Sequence, residues 1–273
     1  MTWKMLVLGI VQGLTEFLPI SSSGHLLLGE KLFGIEHEAL AVTVSLHVGT
    51  LIASVVFMAR RIGRLFADMF ASEKERRKDG WRLVLYLVIA SIPAALVGLI
   101  AADYVESVFT DKPIYVAFFF VGTGALLLAT RWGRDSERGF GLSDAILVGI
   151  AQAVAIMPGF SRSGLTIATA LLLGIASLKA FNFSFLLSIP AIAGAALIQL
   201  LDLIKISDET GIGVDSVFAS PLPGIMGFVS SAAVGFFALW ALKRVVISRR
   251  FWMFSFYCFG IGLVSLVLLL VFK

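Results

Sequence analysis

Apolar residues gather into long runs separated by short polar connections, and the lengths of those runs predict the elements. About 20 apolar residues are needed to cross a roughly 30 Å hydrocarbon core as a helix. Six segments qualify, near 39–59, 82–102, 113–131, 178–201, 221–242 and 251–272. Four further pieces, 3–18, 25–35, 143–157 and 164–176, are too short or too interrupted to span. They read as helical hairpins that enter the membrane and turn back. The pattern predicts an all-α polytopic membrane protein, with six transmembrane helices plus two re-entrant helical hairpins, forming one membrane domain over 1–273.

Composition agrees. The chain is 59% apolar and 15% charged, with a mean hydropathy of +0.96, which excludes a water-soluble enzyme, a disordered chain and a coiled coil. A single cysteine, Cys258, excludes a disulfide framework and any multi-cysteine metal site. The net charge of +4 comes from residues that bracket the apolar runs, so it speaks for topology and not for a nucleic-acid partner. Basic residues collect after the first run (Arg60, Arg61, Arg64, Lys74, Arg76, Arg77, Lys78, Arg82), after the third (Arg131, Arg134, Arg138) and before the last (Lys243, Arg244, Arg249, Arg250). The positive-inside rule makes these connections cytoplasmic. Asp103, Glu106 and Asp111, and Asp202, Asp208, Glu209 and Asp215, then mark outer connections, with both chain ends outside. Glu16 and Pro19 stand where a cleavage site would be wanted, so no removable signal is expected. The run Glu73 to Lys78 reads as a cytoplasmic linker or surface helix near anionic lipid, and Trp3, Trp81, Trp132 and Trp252 as anchors at span ends.

Aligned with itself at an offset of 140, the chain pairs Gly9, Ile10 and Gln12 with Gly149, Ile150 and Gln152, and Ser21, Ser23 and Gly24 with Ser161, Ser163 and Gly164. Each half, about 1–133 and about 141–273, holds one hairpin and three spans. An odd number of crossings inverts the second half, so an inverted-topology repeat is expected, its hairpin tips meeting inside the bundle.

The tips carry the chemistry. In the first, Glu16 and His25 are ionisable groups in apolar surroundings, which marks them as site candidates. Ser21, Ser22, Ser23 and Gly24 precede an apolar run in the manner of a helix start, where hydroxyls and unpaired N–H groups bind phosphate or merely cap the helix. In the second tip Arg162 lies far from any aqueous loop. It suits bidentate contact with phosphate oxygens, or an ion pair with Glu16 that joins the hairpins. A hydroxyl, an imidazole, a carboxylate and an arginine at two helix starts fit phosphoryl transfer and not redox chemistry.

The segments Q-G-L-T-E, S-S-S-G-H and P-G-F-S-R-S-G-L-T resemble the two motifs of the bacterial undecaprenyl-diphosphatase (bacitracin-resistance) family, (E/Q)-x-x-x-E with a nearby histidine and P-G-x-S-R-S-x-x-T. The resemblance covers essentially the whole chain. It implies removal of the terminal phosphate from the C55 isoprenoid diphosphate carrier, leaving the monophosphate that returns to peptidoglycan and other envelope-polymer synthesis. It also implies bacitracin resistance, a divalent cation, Mg²⁺ or Ca²⁺, and an active site open to the outer face of the bacterial inner membrane. By position, Ser22 corresponds to the nucleophile, His25 to the proton-transfer residue, Glu16 to its orienting partner or a metal ligand, and Arg162 to the diphosphate clamp. Gln12, Ser21, Ser23, Gly24, Ser161, Ser163 and Thr166 would complete the headgroup site. Gln12 occupies the first acidic position, and a neutral amide weakens a two-carboxylate metal site. Ser22 and His25 both stay open as the phosphorylated residue, and a homodimer stays open as the assembly.

The expected partners are a polyprenyl diphosphate and the membrane lipids themselves. The competing activity is an inverted-repeat secondary transporter or lipid-phosphate flippase. A phosphatidic-acid phosphatase would want a histidine soon after the arginine, and 163–175 contain none. His47 in the first span reads as a satisfied interior histidine, and His37, beside Glu36 and Glu38, as part of a solvated loop.

Overall fold

The computed structural model describes residues 2–26, 39–100, 114–133, 136, 138–210 and 221–271. Nine α-helices have described bounds: α1 Thr2–Phe17, α2 Ala39–Met69, α3 Lys74–Ile100, α4 Ile114–Ala129, α5 Leu142–Val154, α6 Arg162–Leu172, α7 Ser177–Thr210, α8 Pro221–Ile247 and α9 Phe254–Val271. Residues 22–26 are also helical, and short 3₁₀ turns occupy Thr130–Trp132 and Phe251–Met253. Among the described residues there is no strand, only an isolated bridge between Ser136 and Ile175.

Among the described residues six helices are long and apolar enough to cross a membrane: Thr43–Met69, Lys74–Ile100, Ile114–Trp132, Ser177–Lys205, Leu222–Ile247 and Phe251–Leu268. The chain is a multi-pass membrane protein. In the apolar window of α3 only 6% of residues are buried, which suits a helix facing lipid and not a protein core. Pro93 and Pro190 lie inside α3 and α7; membrane helices accommodate such breaks by satisfying the freed carbonyl through neighbours or side chains.

The helices do not stop where the apolar runs stop. α2 continues through Arg60, Arg61 and Arg64 to Met69, and α3 begins at Lys74, so Lys74–Lys78 forms its first turns and not a separate linker. Arginine, leucine and lysine are good helix formers, and their apolar stems can stay at the interface while the charges reach water. An ion pair between Arg76 and Asp68 closes the turn between these helices. Likewise α7 runs to Thr210, through the acidic stretch expected as an outer connection. The hairpin arm expected over 25–35 is described only to residue 26. Glu36, His37, Glu38, Asp103, Glu106, Asp111, Arg134 and Asp215 lie outside the described residues.

Contacts divide the chain into two compact units that interleave in sequence. The first comprises Met1–Phe17, Ser22–Phe57 and Ile189–Ala241; the second comprises Leu18–Ser21, Met58–Ser188 and Leu242–Lys273. In the first unit small residues let helix backbones approach, the usual basis of packing in lipid. A Cβ on Gly13 of α1 would fall 2.8 Å from Ser231 O and Gly235 N of α8. Ser231 in turn donates to Leu46 O of α2 at 3.1 Å. His47 of α2 keeps a buried Nδ1 with no hydrogen-bond partner among the described residues, so it is not the fully satisfied histidine expected.

In the second unit α3 packs along α5, α4 along α9, and α6 touches both α4 and α5. A core of Ala90, Ala145, Val148, Ala170, Ile175, Ala180, Phe183 and Leu187 joins α3, α5 and α6 to the start of α7. The entry to α5 is fixed by a bidentate pair, Arg138 Nη1 and Nη2 donating to Asp144 Oδ2 and Oδ1 at 2.8 Å each. Arg138 also donates to Leu173 O at 2.7 Å. Burial pushes the Asp144 carboxyl up, but the Arg138 hydrogen bonds, the Gly141 N–H and the guanidinium charge outweigh it and hold the group below the ordinary carboxylate range.

Candidate functional site

Within the first unit, the last turn of α1 and the helical start at 22–26 carry several of the candidate residues. Gln12 and Glu16 are four residues apart and therefore share a face of α1. Gln12 Nε2 donates to Glu16 Oε2 at 3.1 Å, and Ser22 Oγ donates to the same oxygen at 2.8 Å. Gln12 is fully buried and Glu16 is 9% exposed. Ser22 and His25 are half-buried, Gly24 is buried and Ser23 is exposed. A hydroxyl held against a nearly buried carboxylate is the arrangement needed to strip its proton as it attacks an electrophile. Sequence reasoning paired Glu16 with His25 or a metal; the structure adds the direct link to Ser22.

The neighbouring turn, Leu18–Ser21, belongs to the second unit and joins the second motif there. Ser21 is buried with a left-handed backbone at φ 65°, and its Oγ accepts the Gly159 N–H at 3.2 Å. Gly159 has φ 98°, and a Cβ there would lie 2.5 Å from Val116 O, so both conformation and space demand glycine. Pro19 O accepts from Cys258 Sγ at 3.2 Å, which ties the same turn to α9. Within the second unit, then, the turn Leu18–Ser21 contacts Gly159 of the second motif.

Ser161 caps α6: its side chain accepts the Gly164 N–H at 3.1 Å and lies 3.2 Å from Ser163 Oγ. Arg162 is the first residue of α6, and its Nη1 donates to Ser188 O at 3.4 Å. Thr166 donates to Arg162 O at 2.8 Å and lies 2.6 Å from Ser184 Oγ. Ser161, Ser163 and Thr166 are each at most 2% exposed. Three supports escaped the sequence reading. Thr123 of α4 donates to Gly159 O and accepts from Ser161 N–H, both at 3.3 Å, while Ser184 and Ser188 of α7 hold Thr166 and Arg162. For Thr123 and Ser184 the only signal was a hydroxyl within an apolar span, which is too common to single out, and Ser188 acts through its backbone carbonyl, which carries no signal.

Comparison with known proteins decides the family. The sequence profile of the bacitracin resistance protein BacA family matches residues 5–264. The chain belongs to this family. Among its curated BacA-family relatives, the undecaprenyl-diphosphatase of Desulforapulum autotrophicum is 40% identical over 280 residues, covering 97% of each chain. That of Desulfosudis oleivorans is 41% identical over 273 residues, covering 95% of this chain and 96% of the relative. That of Thermotoga maritima is 37% identical over 263 residues, covering 95% and 98%. Both motif regions of this BacA-family chain fall inside the matched range.

The divalent cation expected from the motif resemblance can be weighed against the donors present. Gln12 Oε1 is a buried acceptor with no hydrogen-bond partner among the described residues, beside the Glu16 carboxylate. An all-oxygen pair of this kind suits a hard cation such as Mg²⁺ or Ca²⁺. Among the described residues no group of three histidine, cysteine or acidic side chains gathers for a metal.

Proposed function

We propose that this chain hydrolyses undecaprenyl diphosphate to undecaprenyl phosphate and inorganic phosphate, with Ser22 as the nucleophile and Glu16 as its base. One observation carries the assignment of the nucleophile: the 2.8 Å hydrogen bond from Ser22 Oγ to Glu16 Oε2. Full-length kinship with undecaprenyl-diphosphatases supports the substrate and favours hydrolysis over transport.

As Glu16 takes the proton, Ser22 Oγ attacks the terminal phosphorus and the bond from that phosphorus to the bridging oxygen breaks. The electron pair leaves with the lipid monophosphate, whose bridging oxygen takes a proton from His25. Water, giving its proton back to His25, then attacks the phosphoserine. Inorganic phosphate departs, and Glu16 returns the first proton to Ser22 Oγ. Arg162 clamps the diphosphate with its planar guanidinium, and the start of α6 offers N–H groups and the positive end of its dipole. Ser21, Ser161, Ser163 and Thr166 act by fixing these backbones, while Ser23 and Gly24 belong to the helical start that receives phosphate. Glu16 and Gln12 Oε1 would hold a divalent cation. When bound, that ion neutralises diphosphate charge.

The two motifs act on one headgroup as the tips of an inverted repeat, open to the outer face of the inner membrane. The test is phosphate release from undecaprenyl diphosphate by purified protein in detergent, with and without Mg²⁺, Ca²⁺ and chelator. Release by the native protein and its loss in Ser22→Ala support the proposal. No release under any of these conditions overturns it, and movement of the lipid across vesicles without hydrolysis would favour the transporter.

A further inference from the structure

A cavity of ≈ 320 Å³ in the second unit has no part in the chemistry above. It is bounded by the end of α2, the start of α3, the connection before α5 and the start of α7, and it shares no residue with either motif. Its polar lining is dominated by cations: Arg61 from α2, Arg82 from α3 and Lys179 from α7, with Asn182 beside them. The single carboxylate, Asp79, is already paired with Arg82 at 2.8 Å. Arg61 keeps a buried Nε with no hydrogen-bond partner among the described residues. A buried donor left unmade is costly, so this position suits an acceptor that arrives from outside. The same lining carries aromatic rings, with Phe140 and Phe183 stacked at 4.1 Å. Positive charge beside aromatic rings suits the head and shoulder of an anionic amphiphile. The surrounding arginines and lysines place this end of the unit on the cytoplasmic side by the positive-inside rule, where anionic headgroups concentrate.

We infer that this cavity binds a phosphate-bearing anion, with Arg61 and Lys179 as its principal ligands. Two sources share that chemistry, an anionic phospholipid headgroup and free inorganic phosphate, and one experiment separates them. Purified full-length protein in mixed micelles is offered phosphatidylglycerol or phosphatidylcholine, with adducts counted by native mass spectrometry, and then challenged with inorganic phosphate at constant ionic strength. Retention of phosphatidylglycerol over phosphatidylcholine is expected, falling about fivefold for each of Arg61→Gln and Lys179→Gln. Arg64→Gln, an exposed neighbour outside the cavity, should leave it unchanged. Phosphatidylglycerol that resists phosphate identifies a lipid site, and displacement by phosphate identifies free phosphate as the ligand. If Arg61→Gln fails to fold, the exposed Lys179 carries the test. Equal retention of both lipids with no phosphate binding, or binding that neither substitution weakens, overturns the inference. Phosphate release from undecaprenyl diphosphate should persist in both variants, so failure here is distinct from failure of the phosphatase assignment.

Discussion

Replacing Glu16 by glutamine changes one oxygen into an amide nitrogen and removes one charge, leaving volume and shape nearly intact. In the native protein a single carboxylate oxygen accepts from both Ser22 Oγ, at 2.8 Å, and Gln12 Nε2, at 3.1 Å. The one oxygen left on the substituted side chain can still accept both, so the loop should stay folded. It cannot take the Ser22 proton. Loss of a positioned general base costs about 10²–10⁴ in rate, roughly 3–5 kcal/mol of barrier. The expected result is therefore a kcat for phosphate release reduced by that factor, with a thermal midpoint close to native. Glu16→Ala should do both kinds of harm, because it also leaves the buried Gln12 amide without its acceptor, at about 1–3 kcal/mol of stability. A Glu16→Gln enzyme that turns over within a few-fold of native would refute the base assignment.

Other consequences are equally direct. Arg162→Lys keeps the charge but loses the bidentate fork, so kcat/KM should fall by about tenfold or more, as steady-state kinetics would show; an unchanged value would remove Arg162 from the headgroup. Gly159→Ala must adopt a left-handed backbone 2.5 Å from Val116 O, and should lose about 1–3 kcal/mol, read as a lower thermal midpoint. Asp144 titrates below its ordinary range in the folded chain, so it stabilises the fold at neutral pH and that contribution disappears as pH falls through its lowered folded value. Asp144→Asn should therefore lower the thermal midpoint at pH 7 and flatten the acid side of the stability profile.

The membrane-spanning helices were legible because six runs of sufficient length leave little else for an apolar chain to do. Their ends were not, because hydropathy reports where lipid stops and not where a helix stops. Arg60 to Met69 and Asp202 to Thr210 stay helical beyond the apolar runs. The serine-rich starts were readable from their capping pattern, and Ser161 does cap α6. Which carboxylate oxygen meets which hydroxyl was not, since the Glu16–Ser22 contact depends on a turn at 18–20 that brings the chain back against α1. Nor did identical letters secure identical backbones. Ser21 has φ 65° while Ser161, its partner at an offset of 140, has φ −91° and caps a helix. The same offset sets Arg162 against Ser22, so the hydroxyl lies in the first half of the chain and the cation in the second.

The decisive measurement is the site of phosphate labelling. Native protein and Ser22→Ala are mixed with undecaprenyl diphosphate labelled in its terminal phosphate, quenched within a turnover, and mapped by mass spectrometry under conditions that preserve both phosphoserine and phosphohistidine. Label on Ser22 in the native protein, with neither label nor phosphate release in Ser22→Ala, is the predicted outcome. Label on His25, or undiminished release without Ser22, would contradict it.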